Sequence, residues 1–343
     1  MKKTLCIILT FILLFPVLTF FTSCNQDENA VTSSSESDNN SAESGTPSDD
    51  TVIRIAVLNG TTGFGIVPLY HDLKNGKADF SAKIDFYSDA SLIPSLIVSG
   101  SADIAAVPTN LAASLYAKTQ GGIRVLAVNT LGVLYILENG DSVKTLNDLC
   151  GKTVYVPGQG SNPEYVLKAL LELSGIADKV TVDGTTYSSP DALTTALASG
   201  IADIGLLPEP KVTAALMQNS SLRVAVDLTP EWKNLTGCEL VQGCLIARAD
   251  FVSEHQDLTD RFLTAYKASV NTVNENHENA AELIVSAGLA PKAALVTKAL
   301  PRCNITYMSG DEMKSALNAF WNGLYGIIPS SVGGSLPDEK IFY

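Results

Sequence analysis

Histidine is scarce in this chain: His71, His255 and His277 are the three in 343 residues, each in a stretch of helical pattern and none in a loop that follows a strand. A Ser-His-Asp relay or a zinc-protease centre therefore lacks its imidazoles, and no G-x-S-x-G or H-E-x-x-H string occurs. The six cysteines include no C-x-x-C pair, which removes the zinc ribbon and the thioredoxin-type site. The glycine turns Gly60-Thr61-Thr62-Gly63-Phe64-Gly65 and Gly158-Gln159-Gly160-Ser161 have neither G-x-G-x-x-G spacing nor a G-K-[ST] ending. They read as tight turns, either plain or open to a ligand at their backbone amides, and not as phosphate loops. Glu275, His277 and Glu278 lie close together, but on an amphipathic helix such a group is a solvated face, so no metal or cofactor is indicated. With only carboxylates to serve as general bases, binding is a simpler reading than catalysis.

Basic residues are equally scarce at the start of the chain. Lys2 and Lys3 precede an apolar stretch from Leu5 to about Phe21, and then comes Phe21-Thr22-Ser23-Cys24. Residues 1–23 read as a secretory signal. The tetrapeptide resembles a bacterial lipoprotein box with Phe in place of the usual Leu, which implies a lipid on Cys24 after cleavage. An uncleaved membrane helix is the alternative, opposed by Pro16 and two threonines. Residues 24–51 are Ser, Asn, Asp, Glu, Gly and Thr with almost nothing apolar, too little to offset ordering entropy, and read as a disordered acidic tether. On either reading the body lies outside the cytoplasm. Removing seven tether acids and two signal lysines from the net charge of −13 leaves −8 on residues 51–343, which argues against a nucleic-acid partner. It also leaves the lipid, not a basic patch, to hold the protein on a membrane.

Two segments nearly repeat at an offset of 100 residues: Ser99-Gly100-Ser101-Ala102-Asp103-Ile104 through Pro108, and Ser199-Gly200-Ile201-Ala202-Asp203-Ile204 through Pro208. In each, a helical pattern ends at a glycine suited to the left-handed residue past a helix terminus. A short apolar run follows, reads as a buried parallel strand, and stops at a proline. The likeness extends outward to strands at Val52–Leu58 and Lys152–Val156, Ala82–Tyr87 and Lys179–Val182, and Arg124–Val128 and Arg223–Asp227. Each half is thus a βαβαβ unit, and about 290 residues suffice for two lobes. Leu134–Leu137 and Cys244–Ala247 read as extra strands near the two crossings, placed at Asn129–Val133 and Gly243–Arg248. The expected organisation is α/β, with lobe 1 over 52–130 plus 246–343, including the C-terminal helices, and lobe 2 over 131–245. The helical tail is expected to brace one lobe and the hinge. Cys238 and Cys244 are either a disulfide or ordinary small buried residues.

The lipobox-like start, acidic tether, duplicated S-G-x-A-D-I, and turns Pro108-Thr109-Asn110 and Pro208-Glu209-Pro210 resemble the substrate-binding proteins of ABC importers. The nearest branch is the nitrate, sulfonate, taurine and thiamine-pyrimidine group. Asp227-Leu228-Thr229-Pro230-Glu231-Trp232, Pro301-Arg302-Cys303-Asn304 and Gly333-Gly334-Ser335-Leu336-Pro337-Asp338 look like a Gram-positive sub-branch. The resemblance implies a type II periplasmic-binding clamshell of two mainly parallel sheets, a small-molecule ligand, permease subunits as partners, a monomer, and no catalysis. A sensory lipoprotein with the same clamshell and an enzyme on the same fold are the rivals.

Ligands of open α/β sheets gather at strand carboxyl ends. The candidate contacts are Asn59, Thr61, Thr62, Phe64, Tyr87, Thr109, Asn110, Asn129, Gln159, Ser161, Asn162, Tyr187, Glu209 and Trp232. Six of the strand-end loops contain no Lys or Arg, so a guanidinium clamp for an anion is missing from them. Glu209, if it faces the cleft, would accept hydrogen bonds from an amine or amidine-like N–H, and Phe64, Tyr87, Tyr187 and Trp232 would sandwich a ring or pack the lobes. A neutral or weakly cationic heterocycle of aminopyrimidine type is expected, with a sulfonate or nitrate as the alternative. On this reading Glu209→Gln weakens binding with little loss of folding stability.

Overall fold

The computed structural model describes residues 51–343, which fall within one compact unit. The expected signal, Cys24 and almost all of the tether lie outside the described residues. Among the described residues no helix is long and apolar enough to cross a membrane.

The strands are β1 Val52–Leu58, β2 Ser81–Tyr87, β3 Ile104–Pro108, β4 Ile123–Thr130, β5 Leu134–Asn139, β6 Thr153–Tyr155, β7 Thr181–Asp183, β8 Ile204–Pro208, β9 Leu222–Asp227, β10 Gly243–Arg248 and β11 Ile305–Met308. They form two sheets, in the orders β11-β4-β10-β3-β1-β2 and β7-β6-β8-β5-β9. The sets β2-β1-β3 and β7-β6-β8 are parallel, and helices between successive strands cover their faces. Each sheet then takes one antiparallel strand from across the hinge. β10 enters between β3 and β4, and β5 enters between β8 and β9. The sheets are therefore mixed, and the return crossing is 237–242, ahead of β10.

The repeat is structural. Helices Ile93–Val98 and Pro190–Ala198 end two residues before Gly100 and Gly200, whose φ values of 69° and 71° are the left-handed conformation glycine adopts freely. β3 and β8 follow with four buried residues each. Where β3 has Ala105, β8 has Gly205, and an added Cβ there would stand 2.9 Å from Leu197 Cδ1, so the leucines of the covering helix fill the space a side chain would take. The motif aspartate closes the end of the inserted strand in both copies: Arg248 N donates to Asp103 O at 2.9 Å, and Asn139 N to Asp203 O at 2.7 Å.

The C-terminal helix Gly310–Tyr325 spans both lobes and does not brace one alone. Met313, Leu317, Phe320, Trp321 and Leu324 join a single apolar core with Ala105, Val107 and Val125 of one sheet and Ile136 and Leu206 of the other. Separate clusters fill the remaining faces, one under the helices of the first sheet and one between β5, β8 and the helices Pro190–Ala198 and Lys211–Gln218. Cys238 and Cys244 are both free thiols, and Cys238 contacts the Thr236 hydroxyl.

The two aspartates differ at their side chains. The Asp103 carboxylate is buried and accepts from Arg54 N and Nε at 2.9 and 2.8 Å, whereas Asp203 is exposed. Asp103→Ala is expected to lower stability by about 2–3 kcal/mol, because it orphans a strand amide and removes a charged pair. Asp203→Ala is expected to cost less than about 0.5 kcal/mol. Urea unfolding of both variants checks this, and equal costs would contradict it.

Candidate functional site

The cleft of about 250 Å³ at the strand carboxyl ends is built from equivalent turns of the two lobes. Leu58 to Thr62 at the end of β1 face Asn162 and Pro163 after β6; Ser88 and Ala90 after β2 face Pro190 after β7; and Pro108 at the end of β3 faces Pro208 to Lys211 at the end of β8. Val133 and Gln242, the residues just before the exchanged strands β5 and β10, complete the lining. Matching backbone bonds hold these last two in place. Glu209 N donates to Val133 O at 3.0 Å, and Thr109 N donates to Gln242 O at 3.1 Å. A larger apolar groove beside Pro94, Ile97, Val98 and Leu115 lies at the opposite ends of the strands, where the loops carrying the cleft's polar groups do not reach.

The walls are largely aliphatic: five prolines (Pro108, Pro163, Pro190, Pro208 and Pro210) with Leu58, Val133 and Leu134. Polar groups enter from Asn59, Thr61, Thr62 and Ser88 on one side and from Asn162 and Gln242 on the other. Asn59 Nδ2 donates to Ser88 Oγ at 3.1 Å, and buried Asn129 supports the first turn from below by donating from Nδ2 to Thr62 O at 3.1 Å. Asn162 Nδ2 donates to Gln242 Oε1 at 3.0 Å, yet Asn162 Oδ1 and Gln242 Nε2 are buried without a partner. An unpaired buried amide atom costs on the order of 1–3 kcal/mol.

Charge in the walls is paired. Glu209 borders the cleft, but its carboxylate is buried and turned into the protein: Oε1 accepts from Arg302 Nε at 2.6 Å and from Thr213 Oγ1 at 2.9 Å, and Oε2 from Thr213 N at 3.1 Å. This corrects its expected role as a free acceptor for a ligand N–H. Arg302 arrives from the tail of the other lobe and Lys211 opens the helix Lys211–Gln218, so cations do stand at or beside the cleft, although the six strand-end loops have none. Lys211 is ion-paired to Asp191. Tyr135 Oη donates to Arg302 O at 3.2 Å. Burial, then the charges of Asp227 and Glu209, push that phenol well above its ordinary value; burial and Glu209 do the same for the Cys303 thiol. Both stay protonated at neutral pH.

Of the expected contacts, Asn59, Thr61, Thr62, Asn162 and Glu209 border the cleft, and the others do not. Phe64 and Trp232 are fully buried, Phe64 in the first lobe's core and Trp232 against Phe320 with ring centroids 5.2 Å apart, so neither forms a ligand wall. Tyr87 packs on the shared core, and Tyr187 meets Tyr155 edge to face at 5.2 Å within the second lobe. Thr109 is buried and donates to Val241 O at 2.7 Å, while Asn110 donates to Ser331 O at 3.4 Å. Gln159 is exposed outside the lining, and the Ser161 hydroxyl caps the helix Asn162–Leu173 by accepting from Glu164 N. Gln242, Lys211 and Arg302 went unanticipated. The signal for Gln242 was its position before an extra strand, matching Val133. Among the described residues no group of His, Cys, Asp and Glu is placed to hold a metal.

Two mixed sheets that exchange a strand and face each other across a cleft define the periplasmic-binding-protein fold. Solved structures agree. An ABC transporter protein from Parabacteroides distasonis is 24% identical with a TM-score of 0.73, over 85% of this chain and 99% of that one. The periplasmic aliphatic sulphonate-binding protein of Escherichia coli is 15% identical at 0.69, over 87% and 92%. A Candida albicans protein described as having the generic periplasmic binding protein fold is 15% identical at 0.58, over 85% and 93%. These are likenesses of fold. No curated protein matches the sequence. Residues 76–280, more than half of the chain, match the family described as NMT1/THI5 like, and the chain belongs to that family.

The Glu209–Arg302 pair ties the two lobes across the cleft, which leads to a stability prediction. Arg302→Ala, which leaves a buried carboxylate with Thr213 alone, is expected to cost about 2–3 kcal/mol in urea unfolding, less than a fully buried pair because Arg302 is partly solvated. Glu209→Gln, which keeps an acceptor, is expected to cost about 1 kcal/mol. The double variant is expected to be more stable than Arg302→Ala alone, and additive losses would contradict the coupling.

Proposed function

We propose that this protein is the extracytoplasmic solute-binding component of an ABC importer, anchored through a lipid on Cys24, and that it captures a small neutral ring compound between its lobes for delivery to a permease. The observation that carries the ligand class is the pairing of every charge beside the cleft, Glu209 with Arg302 and Lys211 with Asp191, inside walls of proline and aliphatic carbon. An ionic ligand would have to break one of these pairs or enter without a counter-charge, at a desolvation cost that a neutral solute avoids. Flat proline and aliphatic walls suit the faces of a ring, and the polar groups at two edges would fix its orientation. Family membership and the ABC transporter likeness support the transport role, and the protein works as a monomer that binds rather than transforms its ligand.

A sulfonate is the second reading. Lys211 on the wall favours it, since a bound anion could draw the ammonium away from Asp191, and the fold is shared with a sulphonate-binding protein.

Thermal unfolding separates the two. At about a hundred times Kd a ligand adds about 2.7 kcal/mol, expected here as a rise in Tm of about 5 °C. Aminopyrimidines and related neutral rings are expected to produce it. Stabilisation by taurine, alkanesulfonates or nitrate with no response to neutral rings would overturn the reading.

A further inference from the structure

The cleft contains two nine-tenths-buried amide side chains whose mutual bonding is incomplete. Asn162 opens the helix Asn162–Leu173 in the five-stranded lobe, and Gln242 sits on the return crossing with its backbone pinned to the six-stranded lobe by Gln242 N to Thr130 O at 2.9 Å and by Thr109 N to Gln242 O. Two primary amides side by side can form a cyclic pair with two N–H···O bonds; these form only one, from Asn162 Nδ2 to Gln242 Oε1 at 3.0 Å. Asn162 Oδ1, an acceptor, and Gln242 Nε2, a donor, are left over on two residues that both line the cleft. Turning both amides by 180° exchanges the two roles and leaves the same remainder, one donor and one acceptor.

We infer that Asn162 and Gln242 determine specificity by reading a ligand edge on which one hydrogen-bond donor and one acceptor stand next to each other, as in a lactam or an amino group beside a ring nitrogen. Such an edge satisfies both leftover atoms at once. A ring with acceptors alone leaves Asn162 Oδ1 unpaired, and one with its N–H groups blocked does the same, so discrimination comes from buried polar atoms that a wrong ligand fails to satisfy. Because one amide belongs to each side of the hinge, the edge contact also fastens the lobes together over the bound molecule. The inference rests on the neutral-ring reading and narrows it.

The test is calorimetric titration of the purified protein with uracil and cytosine, which carry the edge, and with 1,3-dimethyluracil and pyrimidine, which lack its donor, with taurine as the anionic comparison. Uracil or cytosine is expected to bind at least tenfold more tightly than the blocked or donor-free ring, and Asn162→Leu, which removes the acceptor that reads the ligand's donor, to reduce that ratio to within about twofold. Circular dichroism confirms that each variant is folded. Should that variant fail to fold, Gln242→Glu, which sets an acceptor against the ligand's own acceptor, is expected to weaken uracil and cytosine binding at least tenfold, and unchanged affinity for both would overturn the edge reading. Equal binding of uracil and 1,3-dimethyluracil overturns the edge reading and leaves the neutral-ring reading standing. Binding of taurine with no ring bound overturns both, and no binding of either edge-bearing ring up to millimolar concentration overturns the edge reading.

Discussion

The exchange of one strand between the sheets is the constraint on which the rest of this structure depends. β5 leaves the first lobe to become the penultimate strand of the second sheet, and β10 makes the reverse journey. Both are antiparallel to their neighbours, so each begins at the edge where the parallel strands end. The residues just before them, Val133 and Gln242, are thereby held at the cleft by equivalent amide bonds from Glu209 and Thr109. The exchange makes the hinge and the floor of the site the same piece of chain. Movement of one lobe relative to the other is thus felt at the ligand, which is the physical basis of coupling closure to binding.

Other contacts across the hinge have different characters. The C-terminal helix Gly310–Tyr325 continues an apolar core behind both sheets, where Phe320 meets Trp232 and Trp321 Nε1 donates to Thr109 O at 3.0 Å. Arg302 reaches from the first lobe's tail to Glu209 and Thr213 of the second. The apolar contact is non-directional and tolerates small rotations, whereas the ion pair and the Asn162–Gln242 bond are short-ranged and geometric. Any opening that carries the helix Lys211–Gln218 away from Leu300–Arg302 must break the bonds of Arg302 to Glu209 and Thr213. A ligand in the cleft would add its binding energy on the same side of that balance.

Much of the architecture was legible in the sequence because it is written twice. Helix, glycine, apolar run and proline recur at an offset of 100 residues, and Gly100 and Gly200 take the conformation that reading requires. The site was legible only in its turns. Asn59, Thr61, Thr62 and Asn162 follow directly from strand ends, but the aromatic candidates did not, because a strand-end aromatic such as Trp232 satisfies core packing as readily as ligand stacking. Glu209 shows the limit most clearly. Its place beside the cleft follows from the repeat, while its neutralisation by Arg302, ninety-three positions away, is a tertiary contact with no local signal. The two copies also diverge just before the exchanged strands, where one lines the cleft with the aliphatic Val133 and the other with the amide Gln242.

The central claim is that the cleft at the exchanged strands receives a neutral ring compound. Native mass spectrometry of the protein isolated from its own source, followed by release and identification of whatever is bound, tests this most directly. The account predicts one equivalent of an uncharged nitrogen heterocycle, lost in Asn162→Leu. Recovery of a sulfonate or another anion in the same stoichiometry would contradict it.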